Sequence, residues 1–449
     1  MPSIKETIAS SRPDLKSYEE LYKYFHAHPE LSFHEEQTAA AIIKHLQTFQ
    51  AYEIHSPIGG HGLAAVLTNG PGKTVLLRAD IDALPVREQT NLPYASTVTM
   101  LNKDEGVEKN VMHACGHDMH ITALLAAAET LLKARESWSG TLVLVFQPAE
   151  ERAGGAQAMV DDGLYDKVPI PDIVVGAHVM PERAGVIGTK RGLIASSADR
   201  FQLKIEGRQA HASTPHRSID PIVQAAATVT RLQTVVAREV DPLDFAVVTV
   251  SAFHAGDAEN IIPTEANLKL DIRAANAETR EHVLRSVKTI INAEAAASSN
   301  PNQPVLTPTT AFPLLFNDAD VTGALEQSFS DYFEPGKHSY QSDIPRLQGS
   351  EDFGILATAV GKPSCFFLYG GIDPAIYDKA EKEGKMKELP GNHSPFFAPV
   401  IQPTLTRGVD GYVVAALTFL GKSVTRGTRA SEGKSRTSQG LLPVIRNDI

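Results

Sequence analysis

Two short stretches carry most of the chemistry that this chain can do. They are His113-Ala114-Cys115-Gly116-His117-Asp118 and Gln147-Pro148-Ala149-Glu150-Glu151. A thiol, imidazoles and paired carboxylates at the ends of apolar runs form the donor set of a catalytic metal site, with a spare carboxylate to carry a proton. Cys115 and His117 are two positions apart, so on one helix they would face different sides. A turn at Gly116 lets both reach one ion, and Asp118 is then expected to cap a helix starting near Met119. Pro148 stops the preceding strand. Read as extended backbone, Glu150 and Glu151 point apart, one to hold an ion and the other to face water. Two further imidazoles are His178, at the end of Gly176-Ala177-His178-Val179, and His393, in Asn392-His393-Ser394-Pro395. Each alone also reads as a core or capping histidine, and the acidic pair alone as a solvated turn beside Arg152. Taken together, Cys115, His117, the glutamates, His178 and His393 suffice for two ions sharing a water.

The elements that must position these groups are legible as apolar periodicity. Tyr18 to Ala27 and Glu35 to Phe49 read as amphipathic helices. Val75-Leu76-Leu77, Leu142 to Phe146 and Ile173 to Gly176 read as buried strands, with a helix from Ile121 to Ala134 between the first two. Continuous apolar strands separated by helices imply an α/β unit with a mainly parallel mixed sheet, whose sites form beyond the strand carboxyl ends. Asp80, Asp82, Glu150, Glu151 and His178 all fall there. From about Ala195 the pattern changes to period two. The order β-α-β-β-α, with one more strand near Pro304 to Thr307, implies an inserted ferredoxin-like α+β domain. The expected division is a catalytic domain at 1–194 and 309–421, an insert at 195–308 and a flexible tail at 422–449, whose Ser, Thr, Arg, Lys and Gly cannot build a core.

Bulk properties narrow the function. A chain of 449 residues exceeds one ordinary domain, and 42% hydrophobic with 21% charged residues is a globular composition. A net charge of −11 argues against a nucleic-acid partner. Only two cysteines, Cys115 and Cys365, exclude a disulfide scaffold and suit a reducing compartment. No signal peptide or apolar run of ~18 residues is visible, so no membrane association is expected and a cytoplasmic location follows by default.

Several motifs, in order along most of the chain, resemble the peptidase M20 family. They are Arg78-Ala79-Asp80-Ile81-Asp82-Ala83-Leu84-Pro85, Met112 to Asp118, Gln147 to Glu151, His211-Ala212-Ser213-Thr214-Pro215-His216, Asn260-Ile261-Ile262-Pro263, Ser350-Glu351-Asp352-Phe353 and His393-Ser394-Pro395. The branch most similar is the amidohydrolase subfamily that cleaves N-acyl amino acids, hippurate and auxin conjugates. The resemblance implies a zinc-peptidase-like catalytic domain interrupted by a lid or dimerisation domain, and hence a homodimer. It implies two divalent ions (Zn, Mn or Co) held by Cys115, His117, Glu151, His178 and His393, with Glu150 as general base. Asp80 and Asp82 would orient histidine ligands. His211 would help stabilise the oxyanion, reaching across to a second subunit, while Asn260 and Arg273 would take the substrate carboxylate. His254 and Gly349 to Asp352 belong to the same pattern.

The expected activity is therefore cleavage of the amide bond of a small N-acyl amino acid by metal-activated water. Three alternatives remain open on sequence. They are a carboxypeptidase or dipeptidase of the same family, a thiol amidase using Cys115 with His117 or His113, and a binding protein that kept the fold.

Overall fold

Residues with uninterrupted apolar character become the strands of the main sheet. The computed structural model describes residues 2–103, 106–347 and 349–421, so the expected tail at 422–449 lies outside the described residues. Gly140–Gln147, Thr74–Asp80, Ile173–Arg183 and Ser364–Ile372 are neighbours and run parallel. Glu53–Ile58 and Gly62–Asn69 complete one side of the sheet in antiparallel register. Ile187–Gly188 and Tyr340–Gln341 complete the other. Successive side chains of Thr74–Asp80 point to opposite faces, and both faces are covered. Val75 and Leu77 pack with the helices His117–Lys133 and Ile401–Leu420, whereas Leu76 packs with Met159, Leu356 and Phe366 on the other face. His117–Lys133 is apolar nearly all round because it lies between the sheet and other helices.

A second sheet is inserted between Ile187–Gly188 and Tyr340–Gln341. Its spatial order is Ala246–Ala255, Glu265–Ala274, Ser197–Glu206, Val305–Phe312, and every pair is antiparallel. The helices Pro221–Glu239 and Ala277–Ala297 cover one face. Leu203, Ile205, Leu268 and Leu270 meet Leu232, Val235, Val283 and Val287 there. This is the βαββαβ order of a ferredoxin-like unit. Pro221 opens its helix behind Asp220, whose carboxylate accepts from the amides of Ile222 and Val223. The last strand runs past Thr307 to Phe312, since pairing with Ser197–Glu206 resumes after an irregularity near Pro308. An edge position tolerates that proline, which has no amide hydrogen to offer.

The second helix, Lys16–Ala27, is tied to the core by a buried ionic contact. His26 Nδ1 lies 2.6 Å from Asp118 Oδ2 and Nε2 lies 2.9 Å from Glu88 Oε1. Burial opposes charging of the ring, but hydrogen bonds and charge from Asp118 and Glu88 prevail and push His26 up to about 9. A folded value above the unfolded value of about 6.5 stabilises the fold fully below that pH, and the contribution is lost as pH rises through about 9. The gap in unfolding free energy between wild type and His26→Gln is expected to shrink by roughly 3 kcal/mol from pH 6 to pH 9.5. Urea titrations at both pH values measure it, and a gap independent of pH would refute the charged state of His26.

Candidate metal centre

The turn before His117–Lys133 is built on Gly116, the residue that caps the helix. Its φ is +82°, and a Cβ there would meet Val179 Cγ1 at 2.4 Å, so only glycine fits. Asp118 is therefore not the cap that the sequence reading expected. It stands in the first turn, where Oδ1 accepts from the Met119 amide and Oδ2 holds His26. His117 Nδ1 donates to the Asp82 carbonyl at 2.8 Å, so Nε2 is the nitrogen left for an ion. Burial opposes charging of this ring, but Asp80, Asp82 and Glu151 raise it to about 10 in the absence of a cation. That Nε2 is buried and has no hydrogen-bond partner. His178 likewise directs Nδ1 to the Val179 carbonyl, at 2.7 Å, and turns Nε2 towards Cys115 Sγ at 3.4 Å.

The glutamate pair is presented by a turn, not by extended backbone as its sequence suggested. Ala149 takes left-handed angles (φ 48°, ψ 41°) and Glu150–Arg152 forms a single 3-10 turn. Neighbours in such a turn diverge by about 120°, which separates the two carboxylates as effectively as a strand does. Asp82 Oδ2 accepts from the Glu151 amide at 3.1 Å and from Ser32 Oγ at 2.6 Å. Glu151 Oε1 lies 3.3 Å from His393 Nε2 and 3.9 Å from His117 Nε2. His393 has a φ of +70°, and its amide donates to the Ala114 carbonyl at 2.8 Å.

Four overlapping donor groups result, with donor atoms within 4.8 Å of one another in each; one of them is Glu150, Glu351 and Asp352, and the other three include imidazoles. Those three are Cys115, Glu151 and His393; His117, Glu150 and Glu151; and Asp80, His117, His120 and His178. His120 was not anticipated from sequence. Its Nδ1 meets Asp80 Oδ1 at 2.5 Å and its Nε2 accepts from the Val179 amide at 2.8 Å, so both nitrogens are engaged. Asp80 thus steadies His120 and the strand carrying His178, and Asp82 steadies His117 and Glu151. Asn392, also unanticipated, donates to the Cys115 and Val179 carbonyls, each at 3.3 Å.

Acids outnumber cations among the buried groups here. Asp80, Asp82, Glu150, Glu351 and Asp352 are all buried. The guanidinium of Arg78, fully buried, is shared among Asp80, Glu351 and Asp352. Burial, followed by repulsion from Glu351, Glu151, Asp352 and Asp80, pushes Glu150 well above the usual carboxylate range. Burial, reinforced by Glu151, Glu150 and Asp80, raises the Cys115 thiol too. Bringing several buried carboxylates together without counter-charge is costly, and divalent cations supply that charge. His117 Nε2 and Glu151 Oε1, both buried and without a hydrogen-bond partner, face each other at 3.9 Å. Donors without a hydrogen to accept are what metal ligation requires, so these residues fit two divalent ions.

The remaining sequence-selected residues lie in the second sheet's neighbourhood. Ala210–His211 pairs with Ile261–Ile262, and the Ala212 amide donates to the Asn260 carbonyl, so His211 and Asn260 share one exposed ribbon. The Ser213 amide donates to His211 Nδ1 at 3.1 Å, leaving Nε2–H as an outward donor. Arg273 donates to Asp271 at 2.8 Å on Glu265–Ala274. Among the described residues, no hydrogen bond joins His211 to the donor groups above.

The family model "Peptidase family M20/M25/M40" matches residues 76–384. A hippurate hydrolase of Campylobacter jejuni is 38% identical over 341 residues, covering 76% of this chain and 84% of the relative. The chain belongs to the peptidase M20 family. Within it, an N-acyl-L-amino acid amidohydrolase of Geobacillus stearothermophilus is 37% identical over 290 residues, 64% of this chain and 74% of the relative. A solved Bacillus subtilis M20 peptidase described as dinuclear and metal-binding superposes with a TM-score of 0.69 at 28% identity, over 90% of this chain and 99% of that one. The M20 fold thus accounts for the doubly covered sheet and for its inserted neighbour.

Proposed function

We propose that this chain is a metal-dependent amidohydrolase cleaving N-acyl amino acids, working as a cytoplasmic homodimer. The observation that carries the reading is the convergence of His117 Nε2 and Glu151 Oε1, buried and unpartnered, with Cys115, His178 and His393. These five residues would hold two divalent ions; Cys115 Sγ lies 3.4 Å from His178 Nε2 and groups with Glu151 and His393. When bound, the ions polarise the amide carbonyl and acidify water for attack. Glu150, which shares a turn with Glu151 and a donor group with His117, would take a proton from that water and return it to the leaving amine. His211 offers Nε2–H to the developing oxyanion in the second copy of the dimer, and Asn260 and Arg273 take the substrate carboxylate. The inserted unit, 195–308, serves as lid and dimer contact.

Chelation is expected to abolish hydrolysis, and Zn²⁺, Mn²⁺ or Co²⁺ to restore it, each metal to its own level. The assay uses N-benzoyl, N-acetyl and indole-acetyl amino acids beside dipeptides, with products identified. Cleavage of dipeptides alone would move the assignment to the family's carboxypeptidases and dipeptidases. Activity that survives chelation, with Cys115 alkylated readily with and without metal, would move it to the thiol mechanism. Binding without turnover in metal-loaded protein would leave a binding protein.

A further inference from the structure

The turn that carries Glu150 and Glu151 is strained, and the group that holds it comes from a segment more than a hundred residues earlier. Ala149 precedes the glutamates with a φ of 48°, a region that side chains other than glycine's rarely adopt. Its amide donates to Glu35 Oε1 at 2.9 Å. The same oxygen accepts from the amide of Phe33, also at 2.9 Å, and Phe33 is itself left-handed with a φ of 64°. One carboxyl oxygen therefore pins two left-handed residues of remote segments. Glu35 is fully buried, and its second oxygen has no hydrogen-bond partner. The Phe33 ring lies over the far end of the turn, where a Cβ on Gly154 would meet Phe33 Cζ at 3.2 Å.

We propose that Glu35 is a positioning residue for hydrolysis, which fixes the Ala149 backbone so that Glu150 faces the water and Glu151 faces the ions. The inference rests on the amidohydrolase reading for its catalytic consequence, but the clamp itself does not. Asp82 holds the other end of the turn through the Glu151 amide, so releasing Glu35 frees one end only. The turn then rotates about Glu151 and displaces Glu150, which alters proton transfer more than substrate binding.

The clamp depends on an acceptor at the right reach, not on negative charge. Glu35→Gln keeps a carbonyl oxygen at the same distance, while Glu35→Asp withdraws it by one methylene and leaves the fold its small acidic side chain. Metal-loaded Glu35→Asp is expected to show kcat reduced at least ~10-fold with KM within ~2-fold, and Glu35→Gln to restore kcat to within ~3-fold of wild type. In metal-free protein, amide hydrogen exchange over residues 147–153 is expected to run about 10-fold faster in Glu35→Asp and at the wild-type rate in Glu35→Gln. Unchanged exchange in Glu35→Asp, exchange accelerated throughout the chain, or equal impairment in both variants would overturn the clamp. A loss expressed in KM alone would overturn its catalytic role. If wild type cleaves no substrate of the panel, the amidohydrolase reading fails, and exchange over 147–153 still decides the clamp.

Discussion

Replacing Glu150 with Gln is expected to lower turnover by at least ~100-fold while bound metal stays at the wild-type level. Gln has the same shape and fits the same buried space, so the turn and the Glu151 donor keep their places. What it lacks is a basic oxygen that can take a proton and give it back. The carboxyl at this position is unusually proton-hungry, since burial and four neighbouring acids disfavour its charge. Removing an acid whose ionisation the site opposes also removes that cost, so Glu150→Gln is expected to unfold at a urea concentration equal to or above that of wild type. Turnover, metal content and unfolding midpoint measured on one preparation separate these effects. Retained turnover with full metal would remove Glu150 from proton transfer.

The largest stability effect is expected at Arg78. Its guanidinium, at the end of an otherwise apolar strand, donates to Gln147 Oε1 at 2.9 Å, Asp80 Oδ2 at 2.8 Å and Glu351 Oε1 at 2.9 Å. Asp352 Oδ1 is 3.4 Å away. Arg78→Met keeps most of the packing volume and deletes the charge, which leaves buried carboxylates without compensation. The expected destabilisation is about 3–5 kcal/mol in metal-free protein, as for other broken buried pairs. A second change, Asp352→Asn, removes one stranded charge and should recover part of the loss. Urea unfolding of the single and double variants tests this. A loss below ~1 kcal/mol would mean that the acids are already protonated and need no guanidinium.

These residues also show what the sequence discloses and what it hides. Cys115, His117 and the glutamate pair stand out because several metal-binding residue types are packed into a few positions. The strands stand out because Val, Leu and Ile run without a polar break. Arg78 escapes notice as a functional group, since one cation beside an apolar run reads as the place where a strand meets solvent. It is in fact buried against acids from residues 351 and 352, a proximity that no local pattern records. His120 is hidden for a related reason. It lies one turn after His117 in a helix so apolar that another imidazole looks like filling. Glu35 reads as the start of the amphipathic helix Glu36–Thr48, and its use becomes visible only when Ala149 is brought beside it. The glutamates show the reverse case. Their separation was foreseen, but through an extended backbone that Ala149 does not adopt.

The donors are spread along the chain so that the inserted sheet separates the first four from the last. Cys115, His117, Glu151 and His178 all precede Ser197, whereas His393 follows Phe312. A ribosome therefore releases four of the five proposed ligands long before the last. The proposed ligand set is complete only once residue 393 has been made and its amide has met the Ala114 carbonyl. On that reading, a full set of donors exists only when nearly the whole polypeptide is already in place.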